Sequence, residues 1–467
     1  MNKTKIIATI RDTYSEEKLL AIHQAGVNIV RFNFSHAQPE AVEPLVKRIH
    51  QLNAEGTTNL GILLDTKGPE VRTGAREETY EYQTGEQFRI FVDQTKLEKP
   101  SDLLSDYPYL LEDLKPWDTI AIESGLMSVI VKEVHTEYLL VESQNHCSIG
   151  SRRHMNFPGI KLRLPGLTEK DKKDLKFWIE NGINYIAASF IRNVGNIEEI
   201  RTFLKEHNAE HIKIISKIEN QEGLDNIEEI VKKSDAIMIA RGDLGIEIPI
   251  ETLPYYQDRI LEICREYGKP CVMATELLKS MVHSPFPTRA EVSDVYHAVI
   301  DGASAVMLSD ETAAGEYPVE SVTIMRKTVT EAEKHMHNEH EDFEVYPYNE
   351  EKEDKRLLFR NALSLADDRE LRAIVVCSHS DENALLLAGN RPNQEVFYFV
   401  DSDQVYHELH HLYGIHGMQI TFGENVEEDA IKTLIDSEHL SSGEKILIIR
   451  DGEEMSNSPL MKIVTVK

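Results

Sequence analysis

Residues 213–247, KIISKIENQEGLDNIEEIVKKSDAIMIARGDLGIE, read as strand, helix, strand. Ile212 to Ile218 is β-branched and apolar, interrupted only by Lys213, Ser216 and Lys217. Leu224, Ile227, Ile230 and Val231 recur at helical spacing, and Ala236 to Ala240 is a second short apolar run. Each run ends in charge: Lys217 and Glu219 on the first, Arg241 and Asp243 on the second. Alternate residues of a strand share a face, so Lys217 and Glu219 project the same way, roughly 7 Å apart. Two parallel strands would then carry one ammonium and two carboxylates to a single rim. Such carboxylates suit Mg²⁺, which takes one or two protein carboxylates and completes its shell with substrate oxygens. Charges at strand ends are also often merely solvated, but Gly242 and Gly245 beside Asp243 let backbone approach a ligand closely.

The chain around this unit has 467 residues, enough for two to four domains. Apolar residues make up 41%, with no uninterrupted run near the ~18 residues of a membrane span. MNKTKIIATI lacks the features of a signal peptide. Cys147, Cys264, Cys271 and Cys377 have no metal-type spacing and fit a reducing cytoplasm. A net charge of −29, from 80 acidic and 51 basic residues, disfavours nucleic acid and anionic lipid as partners. It also requires that an anionic substrate be met by locally focused positive charge.

Working outward, Lys5–Ile10, Asn28–Asn33 and Leu60–Asp65 are strand candidates, separated by a helix from Ser15 to Ala25 and another over Pro39–Glu55. From Gly74 to about Gly159 the pattern turns β-like, with strands at Phe88–Val92, Thr119–Ile122, Val129–Val134 and Tyr138–Val141. Strand–helix alternation then resumes: Tyr185–Phe190, Ile212–Lys217, Ala236–Ala240, Cys271–Thr275 and Ser304–Leu308, with Thr168 and the Thr288/Glu291 capping box opening helices. Eight such repeats predict an α/β fold: a (β/α)₈ TIM barrel over 1–73 and 160–335 with an inserted small β-barrel lid domain over 74–159. An acidic linker over 336–354 and a C-terminal α/β domain over 355–467 complete the expectation, the latter with strands at Ala373–Val376, Val396–Val400 and Lys445–Ile449.

Active sites of this fold lie at the C-terminal strand ends. The polar residues there form a convergent set: Arg31, Asn33, Ser35 and His36 after strand two; Asp65, Thr66, Lys67, Glu70 and Arg72 after strand three; then Lys217, Glu219, Asp243 and Thr275. Glu219 and Asp243 are hard oxygen ligands for a divalent ion. Asn33, Ser35, Asp65 and Thr66 combine one carboxylate with neutral oxygens, which suits a monovalent cation, although such residues also cap helices.

VRFNFSHA, LDTKGPEVRTG, ASFIR, SKIENQEG, ARGDLGIEIP, PTRAEVSDV and VMLSDETAAGEYP, in this order, resemble the motifs of the pyruvate kinase family, closely over about residues 1–330 and loosely beyond. The resemblance implies transfer of the phosphoryl group of phosphoenolpyruvate to ADP in glycolysis, giving ATP and pyruvate, with Mg²⁺ and K⁺ as cofactors. It assigns Mg²⁺ to Glu219 and Asp243, and K⁺ to Asn33, Ser35, Asp65 and Thr66. It gives phosphoenolpyruvate to Arg31, Lys217 and Thr275, which carry the catalysis, and to the backbone around Arg241, Gly242 and Asp243. His36, Arg72 and Arg153 fall on the nucleotide side, the lid excludes water, and a homotetramer is implied.

The sequence also departs from the family. Arg11-Asp12-Thr13-Tyr14 replaces Gly-Pro-Ala-Ser, Glu123-Ser124-Gly125 replaces the lid's Asp-Asp-Gly, and Arg153-His154-Met155-Asn156 replaces Lys-Gly-Val-Asn. Glu276 stands where Gln is usual, and Asp310 replaces a Gly. Ser378-His379-Ser380-Asp381-Glu382-Asn383 lacks the phosphate loop of sugar-phosphate-regulated members. Two alternatives follow: a catalytically silent paralogue that binds metabolites or regulates, favoured by the altered nucleotide side, and a Mg²⁺-enolate lyase or aldolase, opposed by the long insertion.

Overall fold

The computed structural model describes residues 2–34, 39–336, 350–451 and 459–467, without the side chains of 350–353. Its centre is a closed barrel of eight parallel strands: β1 (Lys5–Thr9), β2 (Ile29–Asn33), β3 (Gly61–Asp65), β4 (Tyr185–Ala188), β5 (Lys213–Ile218), β6 (Ala236–Ala240), β7 (Cys271–Ala274) and β8 (Ala305–Leu308). Neighbours in sequence are neighbours in the barrel, and β8 closes onto β1 through Lys5↔Ala305 to Ala8↔Leu308. Side chains alternate about each strand. Ile7, Ile29, Leu63 and Ile215 form the inner core, while Ile6, Ala8, Val30 and Ile214 face the helical ring. Each large aliphatic side chain so buried contributes roughly 1.5–3 kcal/mol.

The expected caps are present. Ser15 accepts from the Lys18 amide, and Gly26 ends that helix at φ +126°, a conformation glycine adopts without a Cβ penalty. Thr168 with Asp171 and Thr288 with Glu291 each form a reciprocal capping box.

Two strands end earlier than their apolar pattern predicts. Phe190 (φ +56°) and Thr275 (φ +70°) lie in the left-handed region, which stops β4 at Ala188 and β7 at Ala274. Both breaks fall on the rim where polar groups converge.

Between β3 and β4 the chain builds a seven-stranded sheet with its own core. Val71–Arg72 at one edge and Leu103–Leu104 at the other are joined by the Thr73↔Ser105 bridge, which closes the sheet into a small barrel. Val71 and Arg72, expected in the large barrel, thus pair with Met155 and His154 in the lid. The C-terminal unit is a five-stranded sheet that includes Ile415–Gln419 and Leu460–Thr465, neither of which the apolar pattern reveals. It docks under the large barrel: Lys213 reaches Asp381 and Glu408, and Tyr185 donates to the His407 carbonyl.

The expected linker, 336–354, is only partly described. Residues 337–349 lie outside the described residues, and 350–354 already belong to the helix Glu350–Asp368. Its buried apolar residues begin only at Phe359, so its first turns carry no amphipathic signal. No helix among the described residues is long and apolar enough to cross a membrane.

Candidate active site

At the C-terminal ends of the barrel strands a cavity of about 640 Å³, counting its open mouth, is lined by Arg31, Asn33, Asp65, Lys217, Glu219, Asp243 and Thr275 among others. The strand–helix–strand unit therefore brings its ammonium and both carboxylates to one place. Lys217 Nζ lies 2.8 Å from Glu219 Oε1, 3.2 Å from Asp65 Oδ1 and 2.8 Å from Ser189 Oγ.

Asp65 is the hub. Its Oδ2 accepts from Arg31 Nε at 2.7 Å, and its Oδ1 accepts from Lys217 and from Ser189 Oγ. Burial would raise its pKa, but Arg31 and Lys217 outweigh burial and hold it below the usual carboxylate range. Lys217 shows the converse balance. Burial would lower its pKa, yet Asp65 and Glu219 hold it above the ordinary lysine value. It is a fixed cation at neutral pH. Arg31 Nη1 also donates to Thr9 Oγ1, so the end of β1 fixes the guanidinium.

Glu219 follows β5 directly, and its Oε2 accepts from the Phe190 amide at 2.6 Å. Its Oε1 is buried and has no aligned hydrogen bond, although Lys217 stands within ion-pair distance. Burial first, then Asp243 and Asp65 against the opposing Lys217, push Glu219 up to about 7. Burial likewise raises Asp243, with Lys217 opposing and Glu70 and Asp65 adding to the rise. Two buried, mutually repelling carboxylates at one cavity have the donor chemistry of a Mg²⁺ site.

Several sequence-assigned residues lie elsewhere or are already engaged. The Arg241 guanidinium does not line the cavity. Its Nη1 donates to both carboxylate oxygens of Asp294 at 2.8 and 2.7 Å, and its Nη2 donates to the Thr275 carbonyl at 2.6 Å. Gly242 N donates to Thr275 Oγ1 at 2.8 Å, so the strained Thr275 is braced from both sides. Thr66 Oγ1 is outside the cavity and accepts from the Ser189 amide. Arg72 lines the cavity from the lid and pairs with Glu70 at 2.6 Å. Arg153, half exposed, lies on the lid outside the cavity with Nη1 3.0 Å from Glu123 Oε1. Two departures from the family pattern are thus each other's partners. Arg11, Asp12 and Glu276 are exposed and outside the cavity. Ser35 and His36 lie outside the described residues.

Sequence reasoning missed Ser189 and Asp294. Ser189 bridges Lys217, Asp65 and the Thr66 carbonyl, and its only sequence signal is a small hydroxyl directly after the buried Tyr185–Ala188 run. Asp294 sits inside PTRAEVSDV with nothing local to mark it.

Two family models match the chain: "Pyruvate kinase, barrel domain" over residues 1–322 and "Pyruvate kinase, alpha/beta domain" over 357–464. A pyruvate kinase of Bacillus licheniformis is 36% identical over 474 residues, covering 100% of this chain and 81% of that protein. One of Clostridium acetobutylicum is 37% identical over 418 residues, covering 89% and 88%. The crystal structure of a pyruvate kinase from Cryptosporidium parvum superposes with a TM-score of 0.94 at 32% identity, covering 100% of this chain and 96% of that one.

Proposed function

The chain belongs to the pyruvate kinase family of phosphotransferases, and from that premise we propose that it moves the phosphoryl group of phosphoenolpyruvate onto ADP, leaving pyruvate. The observation that carries the reading is the single cavity in which Arg31, Lys217, Glu219, Asp243 and Thr275 meet, with Lys217 Nζ 2.8 Å from Glu219 Oε1.

Phosphoryl transfer asks for in-line placement and for positive charge on the transferred oxygens. Arg31 is pre-oriented by Asp65 and Thr9, so little freedom is lost when it meets a phosphate. Glu219 and Asp243 would hold Mg²⁺, which when bound supplies Lewis-acid neutralisation of phosphoryl and enolate oxygens. For K⁺ the donors Asn33, Ser35, Asp65 and Thr66 have suitable chemistry, but Asp65 and Thr66 already accept protein hydrogen bonds, so no step is assigned there.

Lys217 stabilises the pyruvate enolate as a fixed charge rather than as an acid, because its two carboxylate neighbours hold its proton tightly. The proton that quenches the enolate must come from another group. Thr275 Oγ1 accepts from Gly242 N, which leaves its own O–H to donate, and with water it forms the delivery path. ADP is placed on the lid side by Arg72, Arg153 and His36, and the lid excludes water from the transferred group.

A coupled assay with phosphoenolpyruvate, ADP, Mg²⁺ and K⁺ tests the reading, and absence of turnover sinks it. The Arg153–Glu123 pair favours the second reading, a silent metabolite-binding paralogue, since it neutralises a nucleotide-side cation. Turnover without ADP would point to a lyase or aldolase. A cytoplasmic homotetramer is the assembly we propose on the same family grounds, and sedimentation velocity checks the stoichiometry.

A further inference from the structure

The floor of the large barrel is plugged by residues 407–416 of the C-terminal unit, which run from the end of the helix Asp403–Glu408 into the strand Ile415–Gln419. This short stretch carries His407, His410, His411 and His416. His411 is 2% exposed, and its ring lies edge-on to Tyr185 at the foot of β4, with centroids 5.1 Å apart. Neither of its ring nitrogens has an aligned hydrogen-bond partner among the described residues. His410 is buried beside it. Its Nδ1 faces the His407 carbonyl at 2.9 Å, and its Nε2 meets the side-chain amide of Asn59, just before β3. A half-turn of that amide presents a donor, so a neutral ring is satisfied there. Three bonds to backbone carbonyls anchor the plug. The Tyr185 hydroxyl donates to His407 at 2.6 Å, Lys5 Nζ to Ile415 at 2.6 Å, and the Gly414 amide to Lys3 at 2.9 Å.

A proton added to either ring is poorly met. His411 faces Lys213 from β5, Asp235 from the turn before β6, and Asp381 from the C-terminal unit. Both acids are engaged elsewhere, Asp381 with Lys213 at 2.8 Å and Asp235 with Arg201 at 3.1 Å. His410 faces Lys5 from β1 and the rings of His407 and His411, with no carboxylate among the charges acting on it. Burial, then His407 and Lys5, push His410 down to about 3. Burial, then Lys213 against Asp235 and Asp381, push His411 down to about 4. We propose that residues 407–416 form an acid-released plug: neutral imidazoles let the C-terminal unit seal the barrel floor, and protonation of His410 and His411 undocks it.

Outside the interface both rings return to the ordinary value near 6.5, so the undocked state binds more protons below that pH and docking weakens as pH falls. Between pH 7.5 and 5 each ring weakens the docking equilibrium about thirtyfold, and the two together about 10³-fold. His407 and His416, lowered chiefly by burial, act in the same direction. Lys5, pushed down to about 8 by burial, titrates above this range, and Tyr185 far above it. Lys213 stays charged, because Asp381 and Glu408 outweigh its burial, and in return it holds Asp381 low. Glu408 opposes the imidazoles: burial raises it against Lys213, so it takes up a proton on docking. With Glu408 cancelling one ring, about thirtyfold remains. The plug also bears on the rim. β4 and β5, which it holds by Tyr185 and Lys213, lead at their other ends to Ser189 and to Lys217 and Glu219.

Hydrogen exchange on the full chain without substrates tests the plug independently of any turnover. Relative to intrinsic rates, the peptide carrying the Gly414 amide should exchange at least about thirtyfold faster at pH 5 than at pH 7.5, reversibly. The strands Ala373–Cys377 and Glu395–Val400 of the C-terminal unit, and β2 of the barrel, should keep their protection. His410→Gln combined with His411→Phe keeps a donor for the His407 carbonyl and a ring against Tyr185, and should cut the acid increase below about threefold. His411→Phe alone should cut it at least about tenfold, and decides the matter where the double variant does not fold. An increase below about threefold in the parent chain, an equal increase in the variants, or equal loss of protection throughout the chain overturns the proposal.

Discussion

The backbone N–H of Phe190 donates to Glu219 Oε2 at 2.6 Å from a residue whose φ is +56°. An aromatic residue held there costs of order 1–3 kcal/mol, which the surrounding fold must offset. The strained end of β4 thereby aims the acid that follows β5 and leaves its Oε1 to the Lys217 ammonium 2.8 Å away. Thr275, at φ +70° directly after β7, repeats the device, and these two distorted residues sit on the rim that carries the chemistry.

Lys217→Met should cut kcat by at least ~10²–10³, the size of a lost preorganised charge at a developing oxyanion. Divalent-ion binding, read by Mn²⁺ paramagnetic resonance, should survive because Glu219 and Asp243 remain. Activity within about tenfold of the parent would remove Lys217 from the mechanism.

Because burial and neighbouring carboxylates push Glu219 up to about 7, a cation must displace a proton in part of the population at neutral pH. The sign follows: the acid is protonated below its raised pKa, so Mg²⁺ affinity rises as pH climbs through about 7 and levels above it. Calorimetry in buffers of different ionisation enthalpy should register proton release on Mg²⁺ binding near pH 6.5–7 and almost none at pH 9. Glu219→Gln should lose most of that release. A pH-independent affinity between 6 and 9 would contradict the assignment.

The barrel was readable because eight short apolar runs alternate with capped helices, and burial follows the same period. What escaped depends on partners far along the chain. Arg241 reads only as a charge ending an apolar run, with its backbone near the ligand, yet the direction of its side chain is set by Asp294, fifty-three positions on. Ser189 acquires a role only because Asp65 lies across the rim, |i−j| of 124. Leu103–Leu104 is a strand because Ile90 and Phe91 offer a free edge, not because two leucines announce one. Nothing in a threonine or phenylalanine signals positive φ, so the ends of β4 and β7 came out one to two residues long.

Asp294→Ala should lower kcat by about 10–100-fold while costing only a few degrees of Tm. Its side chain is partly exposed, so it adds little to stability, but its two oxygens hold Arg241 Nη1 and so position the guanidinium that donates to the Thr275 carbonyl. Arg241→Lys should not substitute, since the guanidinium spends Nη1 on Asp294 and Nη2 on the Thr275 carbonyl, and one compact ammonium cannot reach both. Unchanged kcat in Asp294→Ala would show that Thr275 keeps its conformation unaided.

Glu123→Gln should lower KM for ADP, by no more than about fivefold, because it releases Arg153 from an ion pair worth about 1 kcal/mol at most at such exposure. The gain should fade with added salt. Arg153→Ala should raise KM for ADP and abolish the effect of Glu123→Gln. If the two substitutions acted additively on KM, the pair would have no part in nucleotide binding.

Fructose bisphosphate should not activate this enzyme through residues 378–383. Each polar group of the loop is already engaged in a way that leaves no cation for a phosphate. Asp381 is held by Lys213 at 2.8 Å, Glu382 by Lys355 at 3.0 Å, His379 pairs with Asp401, and Asn383 donates to Asp451. A sugar phosphate would have to displace Asp381 from its bond to the base of the barrel and then face Asp451 and Glu382. Titrating the sugar into an assay at subsaturating phosphoenolpyruvate should change the rate by less than about twofold. Activation of roughly tenfold, about 1.4 kcal/mol of coupling, that disappears in Ser378→Ala or Ser380→Ala would show that the loop opens to accept phosphate after all.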